Sequence, residues 1–199
     1  GMEEPMFLEY LEGLILLAMN KPHLSLPKLL AIQEKNPYNY QLALNIAQIF
    51  LQRKKYDQAE IQFIRALNID PAHARAHHGL GLSFLRRGKL NEAIEEFLIA
   101  IENDFFFHRA HYHLGEALVR QGLYEDALQA FEVNVRLVPN NLKAHKWLHE
   151  IYFHHILKRL LSYAPHKKLT FYFDALYCIF NLVKALCNNC IYFWQRWGR

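Results

Sequence analysis

The sequence predicts an all-α protein built from stacked helix–turn–helix units, and three observations carry that prediction. Two lines of 34 residues fall into register between Ala72 and Pro139. His77, Leu80, Gly81, Phe84, Ala93 and Phe97 of the first line are answered 34 residues later by His111, Leu114, Gly115, Leu118, Ala127 and Phe131. A fixed period of this size marks units that bury their apolar faces only by stacking on neighbours. The glycines divide into two kinds. Gly88 and Gly122 fall between helices, where a left-handed turn suits glycine. Gly81 and Gly115 fall inside helices, where glycine costs roughly 1 kcal/mol relative to alanine, and Phe97 and Phe131 recur at the same period to fill the space. Composition agrees: 52% hydrophobic and 21% charged, with only 8 Gly and 7 Pro in 199 residues, suits a folded helical chain and not a disordered one.

Taken in order, Gly1 before Met2 reads as an expression scar. Residues 2–37 are a degenerate first unit, expected to act as an N-terminal cap. Phe7–Met19 is its first helix, Pro22 and Pro27 bracket the turn, and Lys28–Glu34 is its second helix. Residues 38–71 are the next unit. Ile46, Ala47 and Phe50 hold the first-helix packing places, and Ala59, Phe63 and Ala66 hold those of the second. Asp57 with Glu60 three residues on reads as a capping box, and Pro71 closes the unit. Residues 72–105 and 106–139 are the two clearest units. Residues 140–165 begin another with Ala144, Leu148 and Tyr152. The match then fails at Leu161, Pro165 and Lys168, and the helix is expected to run to about Tyr163. Residues 166–199 are of another kind. Nine aromatic residues and all three cysteines fall there, but Asp174, Asn181, Lys184, Asn188 and Asn189 interrupt the apolar run, which argues against a membrane span. A capping or interaction helix near Thr170–Leu186 is expected instead.

Several classes are disfavoured by composition. A net charge of +4 is too small to indicate a nucleic-acid binder by itself. Glu3-Glu4 stand where a secretory signal would carry Lys or Arg, and three cysteines late in the chain form no disulfide framework. A cytoplasmic setting is expected. Cys187-x-x-Cys190 is a lone pair without the second pair of a zinc ribbon. His73 with His77 and His145 with His149 are spaced to share a metal, yet His77, His111 and His145 recur at the repeat period, which favours packing. There is no phosphate loop, nucleophile elbow or distinctive carboxylate pair, so neither catalysis nor a cofactor is expected.

The pattern His77-x-x-Leu80-Gly81-x-x-Phe84, then Ala93-x-x-x-Phe97, resembles the tetratricopeptide repeat, as does its counterpart through Pro139. Residues 38–154 carry the resemblance well and residues 5–37 weakly. The departures are a His for the usual Trp, Phe105 for a Pro and Asn134 for an Ala. The resemblance implies a right-handed superhelix of antiparallel helix pairs. Its first helices line a concave groove for a peptide or partner helix, and the repeats themselves have no catalytic role.

Two groove places form charged columns: Arg75, Arg109 and Lys143, then Arg86, Arg120 and His154. Stacking turns such columns into rows. Gln48, His78, Tyr112, His113 and Lys146 should lie between them, together with Asn45, Glu116 and Glu150. Long basic side chains also simply solvate helix faces, and that alternative stands beside the functional one. The expected ligand of a basic groove is an acidic peptide or partner segment. The carboxylate-clamp residues of chaperone-binding relatives are not reproduced: the aligned places hold Leu44, Gln48, Gly79, Arg109 and His113, of which only Arg109 fits. An asparagine ladder like that of sugar-transferase relatives is represented only by Asn45. The leading expectation is therefore a non-catalytic scaffold. The alternative is an assembly module, or a regulatory component of an enzyme system, acting through self-association or docking of residues 168–199. Neither nucleic acid nor membrane is an expected partner.

Overall fold

The structure, a computed structural model, describes residues 4–163. Among the described residues the chain is helical throughout, with no strand: α1 (Glu4–Ala18), α2 (Pro22–Lys35), α3 (Tyr40–Gln52), α4 (Tyr56–Ile69), α5 (Ala74–Arg87), α6 (Leu90–Asn103), α7 (His108–Gln121), α8 (Tyr124–Leu137) and α9 (Leu142–Tyr163). Residues up to 144 belong to one compact unit and those from 145 to another. The expectations for 166–199, the cysteine pair included, lie outside the described residues.

In the first unit α1 packs on α2, α3 on α4, α5 on α6 and α7 on α8. Each pair then meets the next through α2 with α3, α4 with α5 and α6 with α7. The period sets the local structure. Asn20, Lys54, Gly88 and Gly122, spaced 34 apart, all adopt left-handed φ values of 57°, 58°, 78° and 84° at the turn inside each pair. Asn39, His73 and Asn141 stand at equivalent places before first helices. Their side chains accept the amide hydrogens of Leu42 (3.0 Å), Ala76 (3.3 Å) and Ala144 (3.3 Å), satisfying donors that a helix start leaves open. Inside the helices, a Cβ on Gly81 would stand 2.8 Å from Cε1 of Phe97, and one on Gly115 would stand 2.7 Å from Cζ of Phe131. Both rings are fully buried. The glycines are the space those rings occupy.

Two of the recurring histidines, His77 and His111, are architectural staples. His77 Nε2 lies 2.9 Å from the Pro71 carbonyl, and His111 Nε2 lies 2.8 Å from the Phe105 carbonyl, so each first helix is tied to the turn six residues before it. His77 Nδ1 also meets Glu96 Oε2 at 2.7 Å.

Two local expectations need correction. Pro27 lies inside α2, not in the turn; Pro22 starts that helix, at the position where a missing amide hydrogen matters least. Asp57 is not a cap. Lys55 holds that place without a side-chain cap bond, and Asp57 sits in the first turn of α4, where it and Glu60 both ion-pair with Arg87 of the following pair. Asn134, the departure from Ala66 and Ala100, is fully buried. It donates to the His108 carbonyl at 2.6 Å and accepts from Asn141 Nδ2 at 2.7 Å.

The outer face of α1 presents apolar side chains to solvent. Leu8 and Ile15 are 61% and 58% exposed. The residues 34, 68 and 102 positions later are Leu42, Ala76 and Ala110 for Leu8, and Ile49, Ser83 and Ala117 for Ile15. All six are fully buried. The face that α3, α5 and α7 turn toward the preceding pair is therefore apolar and open on α1.

Candidate functional site

A cavity of about 410 Å³ opens among the first helices α3, α5 and α7 and the residues that begin α9. That volume lies within the range of ligand pockets, about 300–1,000 Å³. Its cations are Arg75, Arg109 and Lys143, one from each successive unit. All three are exposed, and among the described residues none has an ion-pair partner. Among the described residues no carboxylate lines the cavity. Leu51, Leu82, Gly79, Phe107 and Tyr112 supply apolar and aromatic wall, and Gln48, His108 and Asn141 supply neutral or titratable polar groups.

The floor is a histidine pair. His78 is 8% exposed. Its ring meets Phe107 edge-on at 4.9 Å and tilts against Phe97 at 5.8 Å. His78 Nε2 lies 3.0 Å from His113 Nδ1, which is itself 2.8 Å from the Arg109 carbonyl. A carbonyl can only accept, so His113 Nδ1 carries the hydrogen, shares it with His78 Nε2, and leaves His78 protonated at Nδ1. Burial pushes the pKa of His78 down to about 3, and His113, Arg109 and His108 push the same way. Burial also lowers His113, reinforced by Arg86 and Arg109 and opposed by the Arg109 carbonyl and Glu116. Both rings are neutral at pH 7, so the arginines and Lys143 carry the positive charge.

Seven of the ten residues expected at a partner site line this cavity: Gln48, Arg75, His78, Arg109, Tyr112, His113 and Lys143. Arg86 and Arg120 do not. Both ion-pair with Oε1 of Glu116, at 3.5 Å and 2.6 Å, and Arg120 also donates to the Leu85 carbonyl at 3.3 Å. That column closes on itself through an acid lying between its members. Lys146 belongs to the second unit, where it faces Glu150 at 3.7 Å. Asn45 donates to the Tyr10 hydroxyl at 3.0 Å. Of the other lining residues, Leu82 stands 34 after Gln48, Asn141 stands 34 after Phe107, and Gly79 stands 34 before His113, whereas Leu51 and His108 have no counterpart in the lining at that period.

Among the described residues no group of three or more metal-ligating side chains occurs, and no helix is long and apolar enough to cross a membrane.

The tetratricopeptide-repeat family model matches residues 10–74, 55–106 and 78–141. No curated protein sequence matches the chain. Solved structures similar to it include MamA, residue 41 to the end, from Desulfovibrio magneticus RS-1. That likeness has a TM-score of 0.72 at 19% identity and covers 88% of this chain and 95% of that one. Pseudomonas aeruginosa PilF gives a TM-score of 0.69 at 19% identity, covering 76% and 69%. The first repeat domain of Spaghetti (RPAP3), solved bound to the HSP90 peptide SRMEEVD, gives 0.56 at 20% identity, covering 57% and 90%. At such identities the likeness is one of fold.

Proposed function

The chain belongs to the tetratricopeptide-repeat family, and we propose that it is a non-catalytic scaffold that takes an acidic peptide or partner segment into the cavity among its first helices. One observation carries this reading: Arg75, Arg109 and Lys143 line a cavity of about 410 Å³ that, among the described residues, no carboxylate lines. Three cations without an ion-pair partner among the described residues present charge-assisted donors to carboxylates entering from outside. The neutral histidine floor and the wall of Leu51, Leu82, Phe107 and Tyr112 leave room for apolar side chains beside the acids. The structure bound to an HSP90 peptide supports peptide binding as a use of this fold.

The test is fluorescence anisotropy with a labelled peptide rich in Glu and Asp, beside a matched peptide carrying Gln and Asn. Wild-type protein should bind the acidic peptide selectively and more weakly as salt rises. Reversing Arg75, Arg109 and Lys143 to Glu should abolish binding. Reversing Arg86 and Arg120 should leave it within about two-fold, because Glu116 already holds both. Equal binding of the neutral peptide, or binding that survives the triple reversal, would overturn the reading.

A second reading, as an assembly module, is favoured by the open face of α1. Leu8, Leu11 and Ile15 are exposed along one side of that helix, and the equivalent sides of α3, α5 and α7 are covered by a helix. A second copy meeting the first through α1 needs only this one surface. Light scattering on the whole chain should then report a dimer that Leu8→Glu with Ile15→Glu converts to a monomer. A monomeric wild type would set this reading aside.

A further inference from the structure

The place of Asn134 in the repeat belongs to alanine. Ala66 and Ala100 hold it in the two preceding units, both fully buried. A polar amide there must be hydrogen-bonded or it destabilises the fold. Asn134 is also fully buried, and both ends of its amide are used: Nδ2 donates to the His108 carbonyl at 2.6 Å, and Oδ1 accepts from Asn141 Nδ2 at 2.7 Å. Asn141 in turn caps the start of α9 by accepting the Ala144 amide hydrogen at 3.3 Å. The two residues that Asn134 ties together both line the cavity. His108 immediately precedes Arg109, and Asn141 stands two residues before Lys143.

We propose that Asn134 is a positioning residue that fixes the separation between Arg109 and Lys143, and so selects ligands whose acidic groups match that spacing. The inference rests on the acid-binding reading of the cavity. Its physical basis is a bridge from the first residue of α7 to the cap of α9, made behind the cavity wall by a side chain that touches no solvent. Alanine, which keeps the unit packed elsewhere in the array, would leave the turn at 138–141 to set its own distance from α7. An extended peptide advances about 3.3 Å per residue, so a series that steps the gap between acids one residue at a time samples that separation.

The experiment uses the whole chain and a series of labelled peptides, each with two Glu-Glu pairs separated by one to five Gly or Ser residues. Wild type should prefer one spacing, and Asn134→Ala should flatten that preference by about five-fold, the scale of one hydrogen bond's net contribution. Asn141→Ala should do the same by removing the other end of the bridge. Arg75→Ala should weaken all peptides alike and keep the preference. Amide hydrogen exchange at 142–144 should quicken in Asn134→Ala without peptide present. A preference that survives Asn134→Ala, or unchanged exchange at those amides, overturns this inference and leaves the cavity reading intact. Wild-type protein that binds none of the peptides overturns both.

Discussion

The buried His78–His113 pair makes stability depend on acid in a way that can be worked from the structure. An imidazole in an unfolded chain titrates near 6.5, whereas burial holds His78 down to about 3. Between these values the unfolded chain takes up a proton that the folded chain refuses. The folded state is therefore at full advantage above about pH 6.5 and loses stability as pH falls toward 3. By pH 5 the unfolded imidazole lies about 1.5 units below its pKa, so this one group removes about 2 kcal/mol, a large share of the 5–15 kcal/mol typical of domains. His113, also lowered, acts in the same direction. The perturbation is His78→Gln, which keeps a polar group facing His113 but cannot titrate. Urea unfolding followed by circular dichroism at pH 7 and pH 5 supplies the readout. Wild type should lose about 2 kcal/mol more than the variant over that interval. Parallel losses in the two proteins would refute the assignment of a neutral, buried His78.

Two further predictions concern backbone and packing. Gly81→Ala and Gly115→Ala each place a Cβ within 2.8 Å of a buried phenylalanine ring; the gain of roughly 1 kcal/mol in helix propensity should be outweighed by overpacking of about 1–3 kcal/mol, read as a lower thermal midpoint, and a raised midpoint would contradict the close approach. Lys54 holds the left-handed position that Gly88 and Gly122 fill in later units; Lys54→Gly should stabilise the chain by roughly 0.5–1 kcal/mol in urea unfolding, and a loss of stability would show that its turn is unstrained.

What the sequence made legible was whatever the period repeats. Gly81 against Phe97 and Gly115 against Phe131 were readable because small and large residues recur in register, and the structure places them in contact. Arg75, Arg109 and Lys143 were readable as a row for the same reason. What escaped were contacts made by single residues across units. Glu116 gathers Arg86 and Arg120 from two successive units, and nothing in the period of the arginines announces the acid between them. Asp57 and Glu60 had the spacing of a cap, but Arg87 from the following pair engages both. Asn134 read as a packing departure because its partners, His108 and Asn141, lie 26 and 7 residues away, intervals the repeat does not contain. His77 and His111 read as packing residues, and their bonds to carbonyls six residues earlier give that role a mechanism.

The proposed binding of an acidic segment in the cavity carrying Arg75, Arg109 and Lys143 is open to direct test. Its most direct test is a titration of isotope-labelled protein with an acidic peptide, followed by nuclear magnetic resonance of the backbone and of the arginine and histidine side chains. Shifts should concentrate at Arg75, Arg109, Lys143, Tyr112 and His113, with Arg86 and Arg120 nearly still. Shifts centred on the second helices α4, α6 and α8, with the cavity residues unmoved, would contradict it.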